Sequence, residues 1–382
     1  MNILYVLNSG EPGGMEVHVL DLVKGMKQRG NDVFVWCKSG AVSEWYKEAG
    51  AYVVNMDIKS DIDLGYIISL VKFIKQHKIQ ILHAHELKAV TNTLLAGFLS
   101  GVKVRVTHTH TPISEWKINA LKQKINLFGY SIIVNLLSSV EICLTESRKN
   151  VKIKEGINSK KLCVIGNGID LDKFGAQLSS NSNTKKELLK KVFNINEAFI
   201  FGFIARMTEE KGHKVLVEAF SKLFLRHNIN GNILLVLAGG GKLERDVKEQ
   251  IETLGLSNKV YVSGVFEEKD KYYYYSLLDA FIFPTLAEGF GIVLIEAMAV
   301  GLPIISSDLE VLQEVGDGTI LFFEAGNSDD LAEKMYDLYI RRDKLQNLGI
   351  SAKERVRELY SMDRFVNNYE NLYINLLGKG GM

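Results

Sequence analysis

Short runs of Val, Ile and Leu alternate with longer amphipathic segments from one end of this chain to the other, and that rhythm constrains its fold more than any other feature. A strand covered by helices on both faces reads as an unbroken apolar run, as in Ile233-Leu234-Leu235-Val236-Leu237. Parallel neighbours also need a crossover of a dozen or more residues, usually a helix. The alternation therefore predicts βαβ units in an α/β fold. The runs place strands at 2–8, 32–37, 52–56, 79–84, 103–109, 142–145 and 161–165, with a helix at 16–28 between the first two. A second series follows at 198–205, 232–238, 260–263, 280–284, 303–306 and 319–323.

A chain of 382 residues is too long for one such sheet, so two doubly wound parallel sheets are expected. The turn-rich Gly166-Asn167-Gly168-Ile169-Asp170 marks the change, giving domains over 1–168 and 169–361. A last amphipathic helix, about 362–377, is expected to pack back on the first domain with the rest of 362–382. Open sheets of this kind bind ligands outside the carboxyl ends of their strands, so a central cleft is the expected site.

Apolar residues at 47% and only four prolines describe a chain with a large core. With 46 basic and 45 acidic residues there is no general positive field for nucleic acid. Residues 1–170 nevertheless carry 21 basic against 15 acidic, and the remainder 25 against 30. Chance scatter accounts for this, or a basic first half faces something anionic. Cys37, Cys143 and Cys163 are odd in number, lack metal-ligand spacing and read as buried free thiols. The start, Met1-Asn2-Ile3-Leu4-Tyr5-Val6-Leu7, has no charged leader, and 127–140 is too short and polar to span a bilayer. A cytoplasmic protein is expected, soluble or peripheral at the inner face of a membrane.

The most informative segment is Pro284-Thr285-Leu286-Ala287-Glu288-Gly289-Phe290-Gly291-Ile292-Val293-Leu294-Ile295-Glu296-Ala297-Met298-Ala299-Val300-Gly301-Leu302-Pro303. A strand ends, a glycine-bearing loop follows, and an apolar helix starts near Gly291. Free amides at a helix start bind phosphate oxygens, and Gly291, Ile292 and Val293 are the nearest. Glu288 lies ahead of the helix and Glu296 inside it, so the two carboxylates reach different parts of one ligand. Ala205-Arg206-Met207-Thr208-Glu209-Glu210-Lys211-Gly212 follows the first strand of the second series, where a guanidinium and an ammonium would converge on a diphosphate.

These segments resemble the retaining, two-Rossmann-domain glycosyltransferases of family four, whose architecture is called GT-B. The glutamate pair matches as Glu288 and Glu296, with Phe290 and Gly291 between them and Ala-Met-Ala-Val-Gly-Leu-Pro after. The resemblance implies that Glu288 contacts the donor sugar, that Glu296 contacts the nucleotide ribose, and that Arg206 and Lys211 stabilise the leaving diphosphate. The turns at Gly239-Gly240-Gly241 and Ser263-Gly264-Val265 resemble further donor-pocket turns, with the base packing beside Gly264, Val265 and Phe266. Asn8-Ser9-Gly10-Glu11-Pro12-Gly13-Gly14-Met15-Glu16 lacks dinucleotide-cofactor spacing but resembles the family's Gly-Gly-x-Glu turn, which places Gly13 and Gly14 beside the donor phosphates.

His83 and His85 end one strand and His108 and His110 another, each pair on one face. A metal site would need a third ligand, and none stands at convincing spacing. The family instead places a histidine after the second of these strands near the reacting sugar, and register favours His110 over His108. Asp61-Ile62-Asp63 reads as a helix cap and Asp170-Leu171-Asp172 as linker, so no metal and no cofactor is expected. In Trp116-Lys117-Ile118-Asn119-Ala120-Leu121-Lys122-Gln123-Lys124, basic and large apolar residues mix. Such a segment is a surface helix with one buried stripe or a contact for anionic lipid or a lipid-linked acceptor through Trp116, Lys117, Lys122 and Lys124.

The resemblance thus implies transfer of a sugar from a nucleotide donor, UDP-linked before GDP-linked, to a glycan or lipid-linked glycan in bacterial surface polysaccharide assembly. An epimerase or phosphorylase on the same fold, or a catalytically silent nucleotide-sugar binder, are the competing readings.

Overall fold

The computed structural model describes residues 1–116, 118–174, 187 and 189–379, with backbone alone at 343–345 and 379. The chain divides into two compact units, one from Met1 to Gly168 completed by the segment from Met362, the other Ile169–Ser361. The first unit holds β1 (Asn2–Val6), β2 (Asp32–Cys37), β3 (Tyr52–Asn55), β4 (Ile81–His85), β5 (Val104–His108), β6 (Val140–Cys143) and β7 (Leu162–Val164). Its helices are α1 (Gly14–Gln28), α2 (Ala41–Glu48), α3 (Leu64–Gln76), α4 (Leu87–Ser100), α5 (Ala120–Leu137) and α6 (Glu146–Lys154). The strands form one parallel sheet in the order β3-β2-β1-β4-β5-β6-β7. Chain order reverses between β1 and β4, so the crevice for a ligand opens at their carboxyl ends.

The second unit is built the same way from β8 (Phe199–Ile204), β9 (Ile233–Ala238), β10 (Val260–Val262), β11 (Ala280–Phe283), β12 (Ile304–Ser307) and β13 (Leu321–Phe323). Around them lie α7 (His213–Arg226), α8 (Glu244–Thr253), α9 (Lys271–Leu277), α10 (Ile292–Val300), α11 (Glu310–Gly316), α12 (Ser328–Ile340) and α13 (Arg342–Leu359). Every residue of β9 is buried, as a strand covered on both faces must be. The parallel order is β10-β9-β8-β11-β12-β13, with its reversal between β8 and β11.

The last helix, α14 (Met362–Lys379), packs on the first unit, where Phe365, Val366, Tyr369 and Tyr373 join Tyr5, Val19 and Val23 in one core. β6 and β4 are displaced from the expected runs for identifiable reasons. Ser139 donates its amide to the Arg105 carbonyl at 2.7 Å, which starts β6 at Val140, and Thr145, expected inside that strand, caps α6 by accepting from the Arg148 amide. Ile79 bonds back to Ile74 at the end of α3, so β4 begins later and carries His85 within it.

Candidate functional site

The reversal in the second sheet brings two loops together. The loop after β8 carries Arg206 and Lys211, and the loop after β11 carries Glu288. They are stitched by backbone bonds: the Leu286 amide and the Thr285 hydroxyl both donate to the Glu210 carbonyl, at 2.7 and 2.9 Å. Gly212 makes this approach possible, since its φ is +69° and a Cβ there would stand 2.0 Å from the Pro284 carbonyl oxygen. Lys211 Nζ reaches Glu288 Oε2 across the seam at 2.7 Å, with both side chains mostly buried. The Gly289 amide donates to the other Glu288 oxygen at 3.1 Å. Arg206 is exposed, and its guanidinium has no hydrogen-bond or ion-pair partner among the described residues.

Gly291 is the N-cap of α10, so the first amides of that helix point toward the same loop without intrahelical partners. The Phe290 ring is buried against Tyr360, centroids 5.5 Å apart, and anchors the loop rather than offering a face to a ligand. Glu296 is 6% exposed and already engaged: Lys271 Nζ donates to Oε1 at 2.6 Å and the Tyr275 hydroxyl to Oε2 at 3.0 Å. Burial pushes its carboxyl above the usual range, and Lys271 opposes that push. Gly239 and Gly264 pair as an isolated bridge, the Gly239 amide donates to Ser263 Oγ, and Met207 bonds Gly240, so the two glycine turns abut the Arg206 loop. Val265 is 85% exposed and the Phe266 ring leans on Tyr274 at 4.8 Å.

In the first unit Gly13 caps α1, and the Glu16 carboxylate folds back toward it. His110 lies just past β5 and reaches the surface, whereas His108 is fully buried. The premise that no third ligand accompanies either histidine pair does not hold. Candidate ligand atoms of His18, His85, His108 and His110 all lie within 4.8 Å of one another. His18 comes from the buried face of α1, beside Val19 and Leu22, and a histidine on the apolar stripe of a helix was the signal available for it. Lys271 and Tyr275 were likewise unforeseen. Asp63 caps α3 by accepting from the Tyr66 amide, and Asp170 accepts from Lys173, so both aspartate pairs serve turns. Trp116 is half-buried, Lys122 and Lys124 are exposed on α5, and Lys117 lies outside the described residues.

Two all-parallel, doubly wound units, the second with a cationic loop and a helix start at its switch point, have the architecture called GT-B. Residues 12–173 match the description Glycosyltransferase Family 4 and residues 184–355 match Glycosyl transferases group 1. The chain belongs to the glycosyltransferase family that combines these two domains. It is 26% identical over 326 residues to an Escherichia coli UDP-Gal:alpha-D-GlcNAc-diphosphoundecaprenol alpha-1,3-galactosyltransferase, covering 82% of this chain and 80% of that one. It is 25% identical to the Staphylococcus aureus capsular polysaccharide biosynthesis glycosyltransferase CapM, covering 93% of each. In fold it is similar to Anabaena HepE in complex with UDP and glucose, with a TM-score of 0.81, 20% identity, and coverage of 98% of this chain and 100% of that one.

Proposed function

We propose that this chain is a retaining, metal-independent glycosyltransferase that moves a sugar from a UDP-sugar to a hydroxyl of a glycan or lipid-linked glycan in bacterial surface polysaccharide assembly. One observation carries the reading: the loop that holds Arg206 and Lys211 meets the Glu288 loop and the start of α10 at the switch point of the second sheet. When the bond between the anomeric carbon and the diphosphate oxygen breaks, negative charge grows on the leaving group. Arg206, Lys211 and the Gly291, Ile292 and Val293 amides are the groups that oppose it, in the place a metal takes elsewhere. Glu288 receives sugar hydroxyls and holds Lys211 in place, and Glu296 receives the ribose once Lys271 yields an oxygen. Gly13, Gly14, Gly239 and Gly264 give the donor close backbone approach, Val265 and Phe266 take the base, and His110 serves the reacting sugar.

The acceptor side is read from α5, whose outer face presents an exposed apolar stripe beside Lys122 and Lys124. Peripheral contact with anionic membrane, where a lipid-linked acceptor resides, follows from that composition. The relatives named for capsule synthesis and for a diphosphoundecaprenol acceptor support the same reading.

Saturation-transfer NMR with UDP-, GDP- and ADP-sugars, run on wild type and Arg206→Ala, tests the donor site. One UDP-sugar should bind selectively and lose its signal in the variant. Where transfer is measured, removing that charge should cost about a hundredfold in rate, or about 3 kcal/mol. Folded protein that binds none of the donors refutes the reading.

A further inference from the structure

We propose that His18, His85, His108 and His110 form a binding site for one divalent transition-metal ion of the zinc type. The fold assembles it from three elements. Parallel pairing sets His85 of β4 directly beside His108 of β5, and His110 follows two residues on, on the same face. From above, α1 lowers His18 onto the group, its ring centroid 5.0 Å from His108, 4.9 Å from His110 and 5.7 Å from His85.

The spacing suits a small ion. His85 Nδ1 and His110 Nε2 are 3.3 Å apart. Two imidazole nitrogens on one tetrahedral zinc, each about 2.0–2.1 Å from the metal, stand about 3.4 Å apart. The His108 and His110 rings stack at 3.9 Å, so loading turns one of them until its lone pair joins the others.

The rings are packed against one another, with His18, His85 and His108 buried and His110 at the rim, and each offers a nitrogen of the kind zinc takes. Both nitrogens of His108, and Nε2 of His85, are buried with no hydrogen-bond partner among the described residues. Orphaned buried polar atoms are costly, and a metal held by His85 Nδ1 and His110 Nε2 would satisfy one of the two His108 nitrogens. An orienting partner is also present. His18 Nδ1 lies 2.7 Å from Asn167 Oδ1, an arrangement in which Nδ1–H donates to the amide oxygen and Nε2 is left to coordinate. The Tyr369 hydroxyl, 3.4 Å from that Nε2, is a weak competitor. An all-imidazole set selects zinc, cobalt, nickel or copper over the oxygen-seeking magnesium and calcium.

The site stands on geometry independent of the transfer reading, and touches it at one residue. Metal on His110 withdraws that ring from the reacting sugar, so zinc would inhibit transfer.

The test is a cobalt titration of the chelator-treated full chain, free of any polyhistidine tag. One equivalent should develop the visible bands of a four-coordinate nitrogen site, and zinc should bleach them. The double variant His18→Gln, His108→Gln should lose this uptake. Should that variant fail to fold, Asn167→Ala decides, because loss of the orienting bond weakens a site by about 10–100-fold. No uptake near one equivalent, or affinity unchanged in a folded variant, overturns the proposal. Donor binding in the NMR screen needs no metal, so failure of one proposal leaves the other standing.

Discussion

His213 is almost fully buried at the start of α7, two residues past Lys211, with both ring nitrogens unpartnered among the described residues and its ring 4.7 Å from Phe203. Burial first, and the Lys211 charge second, lower its pKa to about 4 from 6.5. The unfolded chain therefore binds the proton more readily, and this contribution is present above pH 6.5 and lost as pH falls through 4. Such a shift corresponds to about 3 kcal/mol across that window. In His213→Leu, denaturant unfolding followed by circular dichroism should lose stability less steeply between pH 6.5 and 4. Parallel curves for the two proteins would show that the ring protonates in place. Neighbouring site residues differed in how far the sequence revealed them. Arg206, Lys211 and Glu288 were legible because each sits in a motif that one loop contains. His18 was not, because its partner Asn167 lies 149 residues away, and Lys271 was hidden because a helix, a strand and a loop separate it from Glu296.

At the scale of elements, α5 has two apolar stripes where a surface helix has one. Tyr130 and Val134 are buried inward, with the Tyr130 hydroxyl on Glu141, while Leu121, Ile125, Phe128, Ile132 and Leu136 repeat every three or four residues and are exposed. No described helix is long and apolar enough to cross a membrane, so a stripe of this kind can lie on one but not span it. Replacing Leu121, Ile125 and Phe128 by Ser should reduce co-sedimentation with anionic vesicles by about a hundredfold, at roughly 1 kcal/mol or more for each chain withdrawn from lipid. Sedimentation equal to wild type would assign the stripe to another partner. The sequence disclosed that this segment mixes charge with large apolar residues, but not which side faced inward, because both stripes obey the same period. Strands were easier. Each of the thirteen apolar runs became a strand within about two residues, and the central ones such as β9 and β11, buried on both faces, leave an unbroken signature that no exposed face dilutes.

For the whole molecule, the main consequence is that the first unit is discontinuous in sequence. The chain leaves it at Gly168 and re-enters at Met362, and α14 then supplies Phe365, Val366, Tyr369 and Tyr373 to its core. The fit is close: a Cβ on Gly25 of α1 would stand 2.3 Å from Val366, and the Tyr373 hydroxyl is 2.8 Å from His83 Nδ1. Arg29 also pairs with Glu370. Burying four large side chains contributes about 6 kcal/mol or more, comparable with the whole stability of many domains. A chain ended after Ser361 should therefore fail to fold its first unit even though every strand of that sheet remains. Tryptophan fluorescence can read this unit alone, because Trp36, Trp45 and Trp116 all precede residue 168, while circular dichroism reads both units. The truncated chain should lose the cooperative fluorescence transition and keep part of the dichroic one. A point variant, Val366→Ala, should shift only the fluorescence midpoint, by about 1–2 kcal/mol for the methyl groups lost and the void left. A fluorescence transition unchanged by truncation would show instead that residues 1–168 fold without α14, and that the helix is an ornament on a finished core.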